Sequence, residues 1–546
     1  MAMLAIASIA VGACSSAGSQ GGGAGAKGGT LTVINETGGL WTCGFSQFST
    51  ATNLTSVGIV YEPLYLVNSL SGKQTPWLAT SYRWSPDGKV LTFTIRDNVK
   101  WSDGQPFGAS DVLYTFNLLK QNSALDMQSA WAVLADVKQQ GANEIVMTFK
   151  SPAIPFFYFI AGQIGMVAEH VWSKVPDPVT YEDKQPVGTG PFTVGQCTPQ
   201  NITYVRNPNY WQAGKPTIDK VQYPAFTSNE TANAYLENGK GDWGGQFIPN
   251  IQSAFVSKDP GNHHYWFPPT GSVDLFLNQT VAPLKDKVVR QALAYSIDRA
   301  RVARIGEYGY PPAGDQSNIA RPTFDTWYNA KLAARYDYKF NVQKAQSLLA
   351  QAGYKKGAGG ALQGADGKPL TLDVISNGTY PDWVSDMQVV QDNMRQVGID
   401  LKVENLAQND WQNRLFTGDF QMAYYGPIAG PNPYYELRNV LYGPNSAPIG
   451  QTAASNYERW QDPATDQLFD AFGAAAGVDQ QHQILDQIQQ VMLEDVPVIP
   501  VTEAVSLYQW NSARFTGWPT KDDAYVNPPP WMFPEWEVVL LNLRKK

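Results

Sequence analysis

Between Trp84 and Phe107 apolar and polar positions alternate: Leu91, Phe93 and Ile95 fall on one side, Thr92, Thr94 and Arg96 on the other. A period of two predicts a half-buried strand, and Asp87-Gly88 just before it supplies a hairpin turn. A second turn at Asp103-Gly104 leads to Ser110, a residue type that caps helices, and then to Val112, Phe116 and Leu119 on one helical stripe. Farther along, Leu370, Leu372 and Val374 alternate as a strand, while Trp383, Met387, Val390, Met394 and Val397 step by four, three, four and three up to Gly398. Ile399, Leu401 and Val403 then alternate again. A strand, a helix and a strand in this order predict a crossover between parallel strands. A helix around Asp410 to Phe416 and a strand from Phe420 to Tyr425 extend the unit. Ligands of open parallel sheets sit beyond the carboxyl ends of strands, here near Ser376-Asn377 and Tyr424-Tyr425-Gly426. Val289, Leu293 and Ile297 mark one more helix. Asn341 caps another, with Ala345, Leu348 and Leu349 buried and Gly353 closing it. No fixed-period repeat is present.

Composition narrows the class. With 546 residues, 43% of them hydrophobic, the chain can fill several cores. A net charge of −8 and the lack of Lys/Arg runs argue against nucleic acid as a partner. Only 16% of residues are charged while 12% are aromatic, with 17 Trp, so some rings are expected to face a ligand. The histidines His170, His263, His264 and His482 form no metal-binding spacing, and no metal or cofactor is expected. The segment GTGPF at 188–192 reads as a turn and not a phosphate loop, since Pro191 removes a donor. Trp84, Trp101 and Trp211 read as core.

Residues 4–13 are uncharged and mostly apolar and run into Val11-Gly12-Ala13-Cys14, which resembles a bacterial lipobox. That resemblance implies a signal segment over 1–13, lipidation of Cys14, and a place on the outer face of the cytoplasmic membrane. The stretch is too short to span a bilayer, which needs ~20 apolar residues. Residues 14–29, rich in Gly, Ser and Ala, read as a flexible tether. Cys43 and Cys197 remain, and in an oxidising compartment they are a possible disulfide.

Several blocks resemble the family 5 extracellular solute-binding proteins, the dipeptide and oligopeptide group of ABC importers. They are WSPDGKVLTFTIRDNVKWSDGQPFGASDVLYTF, PVGTGPF with NPNYWQAGKPTIDKV, FLNQTVAPLKDKVVRQALAYSIDR, KAQSLLAQAGY and VMLEDVPVIPV. The resemblance implies an α/β, type II periplasmic-binding-protein fold: two lobes with a hinge, plus an inserted subdomain as in cluster C. Lobe I is expected from 30–50, 187–272 and 500–546, the inserted subdomain from 51–186, and lobe II from 273–499. It further implies a monomer that captures a small solute without chemistry and hands it to an ABC permease. Peptide-binding members anchor the ligand ammonium on an Asp in a W-x-x-D-Y-x-x-P segment. The corresponding stretch here, YYGPIAGPNPYYELRNVL, has no acidic residue between Tyr424 and Tyr435. Glu62, Asp242 and Glu436 are the alternative anchors.

The expected ligand contacts are Trp41, Phe45, Trp243, Tyr425, Tyr434 and Trp531 as aromatic faces, with Gln246, Asn377 and Asn432 as polar partners. Trp41 and Phe45 follow the first strand, Leu31 to Ile34, and Trp531 lies in NPPPWMFP. A peptide is the first expectation for the ligand. Amides and rings also suit an oligosaccharide of the β-glucan or xylan type, and GPNPY-type segments resemble sugar-binding members. A secreted glycoside hydrolase shares the composition, but no isolated carboxylate pair or nucleophile motif points to an enzyme.

Overall fold

The computed structural model describes residues 28–34, 40–49, 56–357, 359–426, 430–475 and 477–546. Cys14, the signal segment and the tether up to residue 27 lie outside the described residues.

The chain opens with β1 (Thr30–Ile34), whose LTVI is buried. A separate antiparallel sheet follows, from β2 (Ala79–Trp84), β3 (Val90–Ile95), β4 (Leu134–Gln140) and β5 (Glu144–Phe149) in the order β2-β3-β5-β4. Leu91, Phe93 and Ile95 are buried as their alternation predicts. The helix after β3, α1 (Ala109–Gln121), is capped at Gly108 and not at Ser110, which lies in its first turn. The reason is Asp111: its carboxylate accepts the Gly108 N–H at 3.0 Å and the Glu169 N–H at 3.0 Å, so the acid closes the helix start and no capping hydroxyl is needed.

Next come β6 (Phe192–Thr198), β7 (Asn201–Arg206), β8 (Lys220–Pro224), β9 (Trp243–Gly244) and β10 (His263–Tyr265). The chain then passes into a second large unit, holding β11 (Pro269–Leu277), α2 (Lys287–Tyr295), α3 (Arg299–Ile305), α4 (Val342–Gln351) and β12 (Thr371–Asn377). That unit continues with α5 (Pro381–Val397), β13 (Asp400–Leu406), α6 (Gln408–Thr417) and β14 (Met422–Tyr425). It ends with α7 (Pro433–Leu441), α8 (Pro463–Ala474), α9 (Val478–Asp495) and β15 (Val498–Val505). The chain returns through β16 (Gln509–Asn511) and finishes with α10 (Trp536–Asn542).

Two sheets result. One has the order β10-β16-β9-β1-β8-β7-β6 and draws strands from the start, middle and end of the chain. The other has the order β13-β12-β14-β11-β15, with β12 parallel to β13 and β14 as the crossover pattern predicts. Met387, Val390, Met394 and Val397 of α5 are buried against it. The helix stops at Gly398, whose φ of +100° suits glycine and whose Cβ would meet the Gly360 carbonyl oxygen at 2.7 Å. Asn341 caps α4 through the Lys344 N–H. One face of this sheet, with Leu275, Val374 and Met422, packs on α2, α4 and α5. The other, with Phe276, Ile375 and Ala423, packs on α6 to α9.

Two main-chain segments join the sheets, 265–269 and 505–509. They lie side by side: Ser506 N–H donates to Pro268 O at 2.9 Å and Trp266 N–H to Tyr508 O at 3.0 Å. Cys43 and Cys197 are bonded, with Cα atoms 5.7 Å apart, fixing the segment after β1 to β6. No helix among the described residues is long and apolar enough to cross a membrane.

Candidate functional site

Register decides which side chains meet at the carboxyl edge of the five-stranded sheet. Asp274 pairs with Tyr425, Phe276 with Ala423, Ile375 with Ala423, and Ser272 with Glu503. Paired residues share a face and residues two apart repeat it, so Ser272, Asp274, Tyr425, Asn377 and Glu503 project to one side at one edge. Glu436, in the first turns of α7, meets them there.

The result is a buried polar set. Glu436 Oε1 accepts the Ser272 N–H at 2.6 Å. The Ser272 hydroxyl lies 2.8 Å from the same oxygen, 2.5 Å from Asp274 Oδ1, and against Asn318 Oδ1. The Asn318 amide donates to Asp274 Oδ2 at a long 3.4 Å, and the one Ser272 hydroxyl hydrogen faces three acceptors, so the set is short of donors. Burial pushes the Asp274 carboxyl up to about 7. Burial, and then the neighbouring Asp274 charge, raises Glu436 as well. Glu503 is raised by burial and by Glu436. Deeper on the same face, Glu458 is raised by burial, and both of its carboxylate oxygens are buried without a hydrogen-bond partner. Two buried cations are near, and both spend N–H groups on main-chain or amide oxygens: Arg299 on Pro500, Ala294, Tyr338 and Gln316, and Arg459, next to Glu458, on Tyr457, Phe416 and Gln451. The carboxylates are thus left without a donor-rich partner, and a buried charge in that state costs several kcal/mol.

The opposite wall is the end of β9. Gln246 is held by Gln509 through its backbone N–H (3.0 Å) and carbonyl (2.7 Å). Trp531 covers Gly245, where a Cβ would sit 2.8 Å from the indole. Between the walls, Tyr310 OH donates to Ile248 O at 2.8 Å and accepts the Ile251 N–H at 2.7 Å. Tyr435 of α7 donates to Pro155 O at 2.7 Å and packs edge-on to Tyr158 and Phe159. The carboxylate set lies between the chain crossings and this α7 contact.

The residues expected to touch ligand are placed unequally. Gln246 and Trp531 come together on one wall, Asn377 and Tyr425 on the other. Asn377 is fully buried and its Oδ1 accepts the N–H (3.0 Å) and hydroxyl (2.8 Å) of Thr379. Tyr425 lies among Phe276, Trp411 and Tyr457, and burial pushes its hydroxyl up to about 12. Asn432 caps α7, its oxygen taken by the Tyr434 N–H at 3.0 Å. Tyr434 is buried and stacked on Phe472 at 4.4 Å. Three aromatics sit away from both walls. Phe45 is fully buried against Tyr204, and Trp243 is fully buried with its indole donating to Pro528 O at 2.9 Å. Trp41 donates to Tyr223 O at 2.9 Å. These rings fill the layer behind the seven-stranded sheet, where apolar area is removed from water without a ligand.

Of the alternative anchors, only Glu436 is at the edge. Glu62 accepts the indole N–H groups of Trp77 (2.7 Å) and Trp211 (3.1 Å), and Asp242 accepts the Thr32 N–H and pairs with Arg514. Ser272, Asp274, Asn318 and Glu503 were not foreseen. Their signal was Asp274, a lone carboxylate inside the apolar strand VDLFL.

The model of the bacterial extracellular solute-binding proteins, family 5, matches residues 73–448. The chain belongs to this family. It is 30% identical to the nickel-binding periplasmic protein of Escherichia coli over 400 residues, 71% of this chain and 74% of that protein. It is 24% identical to the periplasmic oligopeptide-binding protein OppA of Salmonella typhimurium, over 84% of this chain and 85% of that one. Among solved structures, the mannohexaose-bound periplasmic oligopeptide-binding protein of Thermotoga maritima superposes with a TM-score of 0.84 at 21% identity, covering 95% of this chain and 98% of that one. The family 5 chain therefore has the type II periplasmic-binding fold, and the two crossings at 265–269 and 505–509 are where its chain passes between the two large sheets.

Proposed function

We propose that this chain is the extracytoplasmic binding lipoprotein of an ABC importer, tethered through Cys14, which closes two lobes on a peptide-like solute and presents it, unchanged, to a membrane permease. Lobe I comprises 30–50, 187–268 and 506–546, the inserted subdomain 51–186 and lobe II 269–505, in a monomer on the outer face of the cytoplasmic membrane; the sheet membership of β11 and β15 moves the expected bounds at 272/273 and 499/500 to the crossings.

The observation that carries the peptide reading is the donor-poor carboxylate set at Ser272, Asp274, Asn318 and Glu436. An α-ammonium brings three N–H donors and one positive charge, which are the two things this set lacks. The Asp missing between Tyr424 and Tyr435 is then replaced by Asp274 from the adjacent strand and Glu436 from α7. Similarity to OppA, and to the AppA of Bacillus subtilis solved with a nonapeptide, supports the same class. The mannohexaose-bound relative favours a second reading, an oligosaccharide lying on Tyr425 and Trp531.

The test is a thermal-shift screen of the protein from Gly28 onward with di- to hexapeptides and cello- or xylo-oligosaccharides. Ligand at a hundred times Kd stabilises by ~2.7 kcal/mol. Peptides with a free amino end should raise Tm, their N-acetylated forms should not, and Asp274→Asn or Glu436→Gln should remove the shift while the fold remains. A shift with oligosaccharides alone would replace the first reading by the second.

A further inference from the structure

The edge strand β15 of the five-stranded sheet has a neighbour outside the sheet. Gly314 N–H donates to Val501 O at 3.0 Å and Glu503 N–H to Pro312 O at 3.0 Å, so residues 312–314 run along its outer side. At this edge lies a cavity of about 460 Å³, walled by the start of α3, residues 313–316, a short helix (Ala330–Tyr336), residues 337–340 and Leu493 of α9. Lobe II supplies every wall. Small-molecule sites typically measure about 300–1,000 Å³. Ala330, Ala333 and Ala334 share one face of the short helix and line the cavity with Ala313, where longer side chains would fill it. Ala313 and Ala330 are exposed, so the cavity opens to solvent without any movement of the lobes.

The basic groups around the cavity are committed. Arg299 is buried and spends N–H groups on the oxygens of Pro500, Tyr338, Ala294 and Gln316. Lys339 pairs with Asp337 at 3.0 Å. Arg321 pairs with Asp325 at 2.6 Å and lies 4.2 Å over the Tyr328 ring. Among the acids, Asp298 caps α3 through the Arg301 N–H. Asp315 is less well served: its Oδ1 accepts the Ser317 N–H at 2.9 Å, but its Oδ2 meets the Tyr328 hydroxyl at a long 3.3 Å. A half-buried carboxylate with acceptor capacity to spare, in a cavity also lined by Tyr338, Phe340 and Leu493, suits a small primary ammonium on an apolar body.

Asp315 also begins the turn that ends in the carboxylate set. Asn318 N–H donates to Asp315 O at 2.9 Å, and the Asn318 side chain meets Ser272 and Asp274. Between them, buried Gln316 accepts from Arg299 at 2.7 Å and donates to Val498 O of β15 at 2.8 Å. The carboxylate charges acting on Arg299 are those of Asp315 and then Asp274, so one guanidinium feels the cavity and the cleft together.

We propose that this cavity is a second binding site, for a small primary amine with an apolar body, and that an amine held at Asp315 opposes solute capture at Asp274. The second half rests on the peptide reading. Two ammonium groups on acids that share one arginine and one turn repel, and by linkage the solute weakens the amine by the same factor.

The test is saturation-transfer NMR on the protein with butylamine and phenethylamine, each beside its uncharged twin, butanol or 2-phenylethanol. At least one amine should give a signal that its alcohol does not. Asp315→Asn, which keeps an oxygen for the Ser317 N–H, and Ala333→Leu, which fills the space, should each remove that signal at near wild-type Tm, while Asp274→Asn keeps it. Silence of both amines, equal signals from amine and alcohol, or a signal that survives Asp315→Asn and Ala333→Leu overturns the site. Loss in Asp274→Asn alone puts the amine in the cleft and overturns it too. In calorimetric titration, saturating amine should raise the peptide Kd about five-fold or more. An unchanged Kd overturns the coupling alone, and failure of every peptide to bind overturns the peptide reading and the coupling while the NMR result still decides the cavity.

Discussion

Carboxyl groups buried without cations recur in this molecule, and their proton balance has consequences for stability. Glu62 and Glu537 face each other, with the Tyr210 hydroxyl 3.2 Å from each and two indole N–H groups on Glu62. Burial, and then the Glu62 charge, raises Glu537 well above its ordinary 4.5. A group whose folded value is raised contributes stability that is fully present below its unfolded value and is lost as the pH climbs through the folded value. The urea midpoint should therefore fall from pH 5 to pH 8. Glu537→Gln supplies an N–H where the second carboxylate stood and should flatten that decline, gaining on the wild type at pH 8. A variant with an unchanged pH slope would mean that the pair does not titrate with folding. At this scale residue types were legible in the sequence and neighbours were not. Glu436 was visible as an acid near the missing Asp, but its partner Ser272 is 164 positions away. Trp243 and Trp531 read alike as aromatic ligand contacts, and only the packing of residues 528–531 separates a core ring from a wall.

Whole elements were easier to foresee wherever the pattern is local. The crossover β12-α5-β13 is encoded in one continuous stretch, with its own stop at Gly398, so periodicity sufficed. The seven-stranded sheet was not readable this way. β9 has two residues and β10 and β16 three each, too few to show a period, and they pair only because distant parts of the chain meet. Ser110 misled for a related reason, since hydroxyl capping competes with an acid at the third helical position and here Asp111 wins. The same remoteness makes the Cys43–Cys197 bond important, because it ties the segment after β1 to β6 across 154 residues of sequence. Closing so long a loop restricts the unfolded chain, with a typical stabilisation of ~2–4 kcal/mol. The double variant Cys43→Ser/Cys197→Ser should melt several degrees lower, with peptide binding retained below the transition. An unchanged Tm would show that the Trp41–Tyr223 and Phe45–Tyr204 contacts hold this segment without the bond.

For the molecule as a whole, function depends on the balance between lobes apart and lobes together, and the structure shows contacts across the cleft that need no solute. Tyr435 reaches from α7 to Pro155 and packs against Tyr158 and Phe159, and Arg438 lies 5.3 Å over Phe156. Near the hinge, Tyr310 bonds to Ile248 and Ile251. A hydrogen bond of this kind contributes roughly 0.5–1.5 kcal/mol and an aromatic pair about as much again. Losing the Tyr435 ring should then shift the ligand-free balance toward open by about ten-fold per 1.4 kcal/mol, and apparent Kd rises as the closed fraction falls. Tyr435→Ala should show a larger radius of gyration than the wild type by small-angle scattering without ligand, converging on the wild-type value when peptide is added. Tyr310→Phe removes only the two hinge-side bonds and should move in the same direction by less. If both variants scatter like the wild type without ligand, the resting balance is set by the hinge strands alone, and the α7 contact forms only after the solute has drawn the lobes together.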